Sequence, residues 1–296
     1  MTLNSFARTC RTAVAVLVVA AVESTAAAAQ ASHHIMYRVV GPKGATVYLL
    51  GSVHLLTPDA GKLPAVVDSA FAHAKTIALE TNLDTAMMSA NDLLGRAQYE
   101  NGATLRSSLA PATVARTDTM LREYGLGLDA VNGFKPWFVS VMVAQLAMQR
   151  ANFQADYGVD IQLNARAHAA GKRVIGLEPV SYQFALFDSM SVADQEAMLL
   201  AIEPPDSAVV ELTAIKNAWV AGDTAALGAV MDAKTPGSDR LNDELVVQRS
   251  EHWLPEIEAM LGGTDDVLVV VGAGHLLGKQ GLLALLAAHG YRVIQM

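Results

Sequence analysis

Apolar positions near the start of the folded part fall into short, distinct patterns. "YRVV" (Tyr37–Val40) and "TVYLLG" (Thr46–Gly51) are β-branched and aromatic runs separated by the turn signal "GPKG", which predicts a hairpin. "LPAVVDSAFAHA" (Leu63–Ala74) has helical period, and "TIALE" (Thr76–Glu80) reads as a buried strand. From about Asn82 to Gln154 the pattern is mostly helical. "KRVIGLE" (Lys172–Glu178) is strand-like. Helical patterning returns from Pro179 to Leu261, broken at "EPPD" (Glu203–Asp206) and "TPGSD" (Thr235–Asp239). The chain closes with a strand, "DVLVVVG", a helix, "GLLALLAAHG", and a last strand, "YRVIQM".

Strands that are apolar on consecutive residues are buried on both faces, and helices between them act as crossovers. The fold class expected is α/β, with a central mixed, largely parallel sheet flanked by helices and a helical insertion. At 296 residues the chain fits one large domain or two small ones.

The first residues carry a different pattern. Arg8 and Arg11 precede an apolar run, Ala13 to Val22, and small residues follow in "STAAAAQA". This is the layout of a secretory signal peptide cleaved after Ala31, which assigns residues 1–31 to the signal and 32–296 to the domain. The protein is then expected to be periplasmic or secreted, with no membrane span after cleavage. The single cysteine, Cys10, lies within the signal, so the mature chain would have no disulfide and no thiolate ligand. Trp137 to Ala147 is the most apolar later stretch. It is too short to span a bilayer and is expected to be a core helix. A formal net charge of −8 argues against a nucleic-acid partner.

Two turns share one plan. "YLLGSVHLL" (Tyr48–Leu56) and "VVVGAGHLL" (Val269–Leu277) each run strand, Gly, two residues, His, Leu, Leu, pairing Gly51/His54 with Gly272/His275. The second is not a dinucleotide loop: its glycine spacing is one residue too long and no acidic residue follows for the ribose. A glycine there permits positive φ or close approach of another group. Ligands of open α/β sheets bind beyond the carboxyl ends of strands. His54, Glu80, Glu178 and His275 all stand at such ends, and together they form a familiar ligand set for a divalent metal: zinc, manganese or cobalt. A metal there would acidify water, and a spare carboxylate would serve as general base. Taken singly, such a histidine is more often a hydrogen-bonded structural residue, and such a glutamate a solvated cap. His33 and His34 are expected to lack fixed structure, and His73, His168, His252 and His289 to be solvated or capping.

At these residues the chain resembles the TraB/PrgY/GumN proteins and their relatives, the Tiki-type metallopeptidases. "LLGSVH", "IALETN", "KPWFVSVM", "GVDIQLNARAHAAGKRVIGLEPVSYQ" and "VVVGAGHLLGKQGLLALLAAHGYRV" carry the likeness from about Tyr37 to Met296. The resemblance implies a fold shared with erythromycin-esterase-like and haem-uptake-related proteins. It implies metal-dependent peptide cleavage, with His54, His275 and Glu80 (or Glu178) as metal ligands and the remaining carboxylate of Glu80 and Glu178 as the base that activates water. Arg249 would clamp a substrate carboxylate or an oxyanion, although Ser250 stands where the family usually has asparagine. Asp160 is a further family-like acid, read here as a helix N-cap. Lys135, Pro136 and Trp137 resemble family packing. The function expected is an exported, peptidase-like hydrolase acting on a peptide or small molecule. The alternative is a protein that only binds or sequesters such a ligand.

Overall fold

The computed structural model describes residues 34–86, 90–231, 240 and 242–296. The signal peptide expected at residues 1–31, Cys10, His33 and the break at Thr235–Asp239 all lie outside those residues.

Among the described residues, six strands form one sheet. They are β1 (Met36–Val40), β2 (Thr46–Ser52), β3 (Thr76–Thr81), β4 (Arg173–Glu178), β5 (Val267–Gly272) and β6 (Val293–Gln295), in the spatial order β4-β3-β5-β2-β1-β6. Strands β2, β5, β3 and β4 are parallel to one another; β1 is antiparallel to both β2 and β6. The mixed, largely parallel α/β sheet matches the expectation, as does the hairpin. Val47, Val267, Thr76 and Arg173 are in register, so the four parallel strands end along one edge.

Strand β5 shows why these residues make strands. Val267 to Val271 are all buried, and a β-branched run covered on both faces suits the centre of a parallel sheet. The covering helices include α1 (Ala65–His73), which links β2 to β3, α3 (Val159–Ala169) and α7 (Gln248–Leu261). Trp253, Ile257 and Leu261 of α7 pack into the main core with Leu163 of α3. The helical insertion holds a second cluster around Leu105, Leu121, Val139 and Leu199. It draws on α2 (Pro136–Arg150) and α5 (Val192–Leu200). Between these in the chain, α4 (Val180–Ser189) follows β4. Helix α6 (Pro205–Ala221) follows α5, and α8 (Leu282–Ala288) precedes β6.

Pro136 occupies the first turn of α2, where its missing N–H costs nothing, and Trp137 is buried as expected. The rest of α2 is only half covered, and Val141 is 42 % exposed. Among the described residues, no helix is long and apolar enough to cross a membrane. His34 is not free of structure: its N–H donates to the Met296 carbonyl at 2.9 Å, tying the start of the domain to its end.

Candidate functional site

Glu80 sits one residue from the end of β3, and Glu178 ends β4. Both carboxylates turn toward Arg249, near the start of α7. Arg249 Nη2 donates to Glu80 Oε2 at 2.6 Å and lies 2.7 Å from Glu178 Oε1, which also accepts from Nε at 2.9 Å. Gln183 of α4 donates to Glu178 Oε1 at 2.9 Å, and the Trp253 indole N–H donates to Glu178 Oε2 at 2.9 Å. The Gly272 N–H donates to the last oxygen, Glu80 Oε1, at 2.6 Å. All four oxygens therefore have a donor, which buried carboxylates need. Burial alone would raise the Glu80 pKa, but the charges of His275, Arg249 and His54 and the Gly272 N–H bring it below the usual carboxylate range.

His275 is buried at 6 % exposure beneath this cluster. Its Nε2 lies 3.1 Å from Arg249 Nη1. A guanidinium can only donate, so Nε2 must carry the lone pair and Nδ1 the proton. Nδ1–H then faces Ser250 Oγ at 3.1 Å and the Val246 carbonyl at 3.2 Å. That carbonyl belongs to a π-helical turn, Asp243–Val247, leading into α7; the Leu245 carbonyl of the same turn accepts from Arg249 Nη1 at 3.0 Å. Burial pushes the His275 pKa down to about 4, so the ring is neutral, and the lowering at Glu80 falls chiefly to Arg249 and His54.

His54 has a different setting. Its side chain is 61 % exposed, and Nδ1 is bonded to Oδ2 of Asp160, whose side chain is only 12 % exposed. The Asp160 carboxylate pushes the His54 pKa up to about 9, with solvent on the open side of the ring screening part of that hold. A cavity of about 70 Å³ lies here, with His54, Asp160, Glu80 and Gln183 among its lining. Asp160 is therefore not an N-cap. Gly158 occupies that position with no side-chain bond, and Asp160, in the first turn of α3, is free to serve the histidine. The two histidines do not stand side by side at one rim: His275 is sealed below it.

The glycines act by admitting close neighbours rather than through positive φ. Gly272 has φ −49°, and a Cβ on it would stand 3.1 Å from Glu80 Oε1. A Cβ on Gly51 would meet Ile35 Cγ2 at 2.4 Å, and the Gly51 carbonyl accepts from the Trp219 indole at 2.7 Å.

The structure thus brings Glu80, Glu178, Arg249 and His275 together, and His54 joins them across the small cavity. As arranged they do not fit a divalent ion. The Arg249 guanidinium fills the space between the two carboxylates and His275 where an ion would sit. His54 is turned onto Asp160. Among the described residues, no group of three His, Cys, Asp or Glu side chains is placed to hold a metal. Nor does Arg249 stand open as a clamp for substrate, being 8 % exposed and occupied by protein acceptors. Sequence reasoning missed Gln183 and Trp253 and assigned Asp160 to another task. Gln183 ends the string "GLEPVSYQ" and Trp253 lies one helical turn past Arg249, the two signals that were available.

No solved structure matches the chain. The chain is similar to YbaP of Escherichia coli (strain K12), at 24 % identity over 248 residues, covering 79 % of this chain and 85 % of the relative. YbaP of Shigella flexneri matches to the same extent. The model of the TraB/PrgY/gumN family matches residues 35–295, and the chain belongs to that family.

Proposed function

We propose that this protein is an exported hydrolase that cleaves amide bonds in a peptide or small molecule, with the His54–Asp160 pair handling the proton. The observation that carries this reading is an open imidazole aligned by a buried carboxylate, at a cavity that also includes the ionised Glu80 in its lining. Asp160 holds Nδ1 and leaves Nε2 as the nitrogen available to substrate. The neutral ring takes a proton at Nε2 from the water as its oxygen bonds to the carbonyl carbon, and the imidazolium so formed gives that proton to the amine nitrogen as the C–N bond breaks. Glu80, Glu178 and Arg249 stay fixed; the Glu80 charge favours the imidazolium form of His54 and Arg249 opposes it. No step is routed through a metal, because Arg249 would first have to leave its carboxylates. Export rests on the basic-then-apolar pattern of Arg8, Arg11 and Ala13–Val22, and fractionation of cells expressing the full chain tests it.

The decisive experiment uses protein purified without chelator and a peptide library, with wild type, His54→Ala and Asp160→Asn compared. The expected result is turnover that persists in chelator and falls by about 10²–10⁴-fold in His54→Ala. Turnover abolished by chelator and restored by zinc, manganese or cobalt would overturn the metal-free chemistry. The second reading is sequestration without turnover. It is favoured by the complete pairing of the Glu80 and Glu178 oxygens, which leaves neither free to act as a base. Saturable peptide binding with no product would establish it.

A further inference from the structure

The helical insertion carries a second and larger cavity. Helices α5 and α6 both pack on α2, and residues of all three line a groove of about 470 Å³. Val143 and Ala147 of α2, Phe187 of α4, Met198 of α5, and Leu212 and Ile215 of α6 form its apolar wall. That volume falls within the range of small-molecule sites, and methionine lets such a wall adapt to its occupant. Two carboxylates complete the lining: Glu203, in the turn between α5 and α6, and Glu211 on α6. Both are exposed, and neither has an ion-pair partner among the described residues. No lysine or arginine lines the groove. The nearby basic side chains are directed to backbone carbonyls instead: Arg116 to Leu200 and Arg150 to Glu123.

We infer that this groove is a binding site for a small organic cation, an apolar body carrying one ammonium group. The body lies along the α2 wall and the ammonium lies between Glu203 and Glu211. An anion of the same shape would meet two like charges and no compensating one. The site is independent of the His54–Asp160 chemistry and stands whether or not that chemistry occurs.

The test is calorimetric titration of the full protein with decyltrimethylammonium and, separately, decyl sulfate, each kept below its micellar concentration. The expected result is one saturable site for the cation and at least about ten-fold weaker binding of the anion. Replacing both acids (Glu203→Gln with Glu211→Gln) should weaken the cation about five-fold, as two solvent-screened charge pairs allow. Ala144→Phe, at an exposed position of α2 in the lining, should abolish binding by filling the groove. If circular dichroism shows that this variant does not fold, Val141→Trp on the same helix takes its place. Absence of saturable binding, equal affinity for cation and anion, or full affinity in the filled variant would each overturn the proposal.

Discussion

The backbone N–H of Gly272 donates to Glu80 Oε1 at 2.6 Å, so one glycine joins the turn after β5 to the end of β3. A methyl group at that position would face the same oxygen at 3.1 Å. Gly272→Ala should push the carboxylate back and weaken a charge-assisted bond, costing about 1 kcal/mol. Gly272→Val should cost more. Urea unfolding measures both, and a wild-type midpoint for the valine variant would rule out the tie as a stability element.

Arg249 neutralises two buried carboxylates at once. Arg249→Met should therefore destabilise by about 3–5 kcal/mol, because both charges are left without a partner in a dry site. Adding Glu80→Gln and Glu178→Gln to that variant should recover part of the loss. If the triple variant is less stable than the single one in chemical denaturation, charge pairing is not what Arg249 supplies.

His54→Ala should remove turnover and also destabilise by about 1–3 kcal/mol, because the Asp160 carboxylate, 12 % exposed, loses its partner. Gly158→Ala should act on the same group from behind. A Cβ there would lie 2.0 Å from the His54 carbonyl oxygen, a backbone clash that no rotamer relieves. Loss of both stability and activity is expected, and adding Asp160→Asn should recover part of the stability of His54→Ala but not of Gly158→Ala. Parallel melting curves and rate assays separate the two.

Stability should peak near neutral pH. His275 is held near 4 when folded, against 6.5 for an unperturbed histidine. Between those values the unfolded chain takes up a proton that the folded one refuses. Stability therefore falls with falling pH across that window, by up to about 3 kcal/mol. The lowered Glu80 pKa acts in the same sense: its contribution is present above the usual carboxylate range and is lost as pH drops through the folded value. His54, pushed up to about 9, works oppositely. Its contribution is complete below 6.5 and disappears as pH rises through 9, reduced by its exposure. Unfolding free energies at pH 4.5, 6.5 and 9.5 would show the maximum; a flat profile from 4 to 6.5 would contradict the His275 assignment.

The sheet was legible from residues alone because its strands are short, largely apolar runs bounded by turn or helix signals; "TVYLLG", "TIALE", "KRVIGLE" and "DVLVVVG" all became strands within a residue or two. The strand-end placement of Glu80 and Glu178 followed from the same pattern. What could not be read was direction in space. The echo between "LLGSVH" and "VVGAGH" suggested two equivalent histidines, but equivalence ends at the turn. A short helix, Ala273–Leu276, rolls His275 under the rim, whereas Val53–Leu56 leaves His54 outside. Asp160 resembled a cap because an acid beside a helix start usually is one. Its role depends on His54, 106 residues earlier, and no local rule reaches that far.

Strand β5 lies at the middle of the sheet yet comes second to last in the chain. The hairpin of β1 and β2 shares no strand pairing with β3 and β4 except through it. During synthesis the two halves must wait, each with an open edge, until residue 272 has emerged. Closure is therefore a late, long-range event with the slow kinetics of high contact order. A chain cut short before Val267 is left with two unjoined half-sheets whose exposed edges are templates for aggregation.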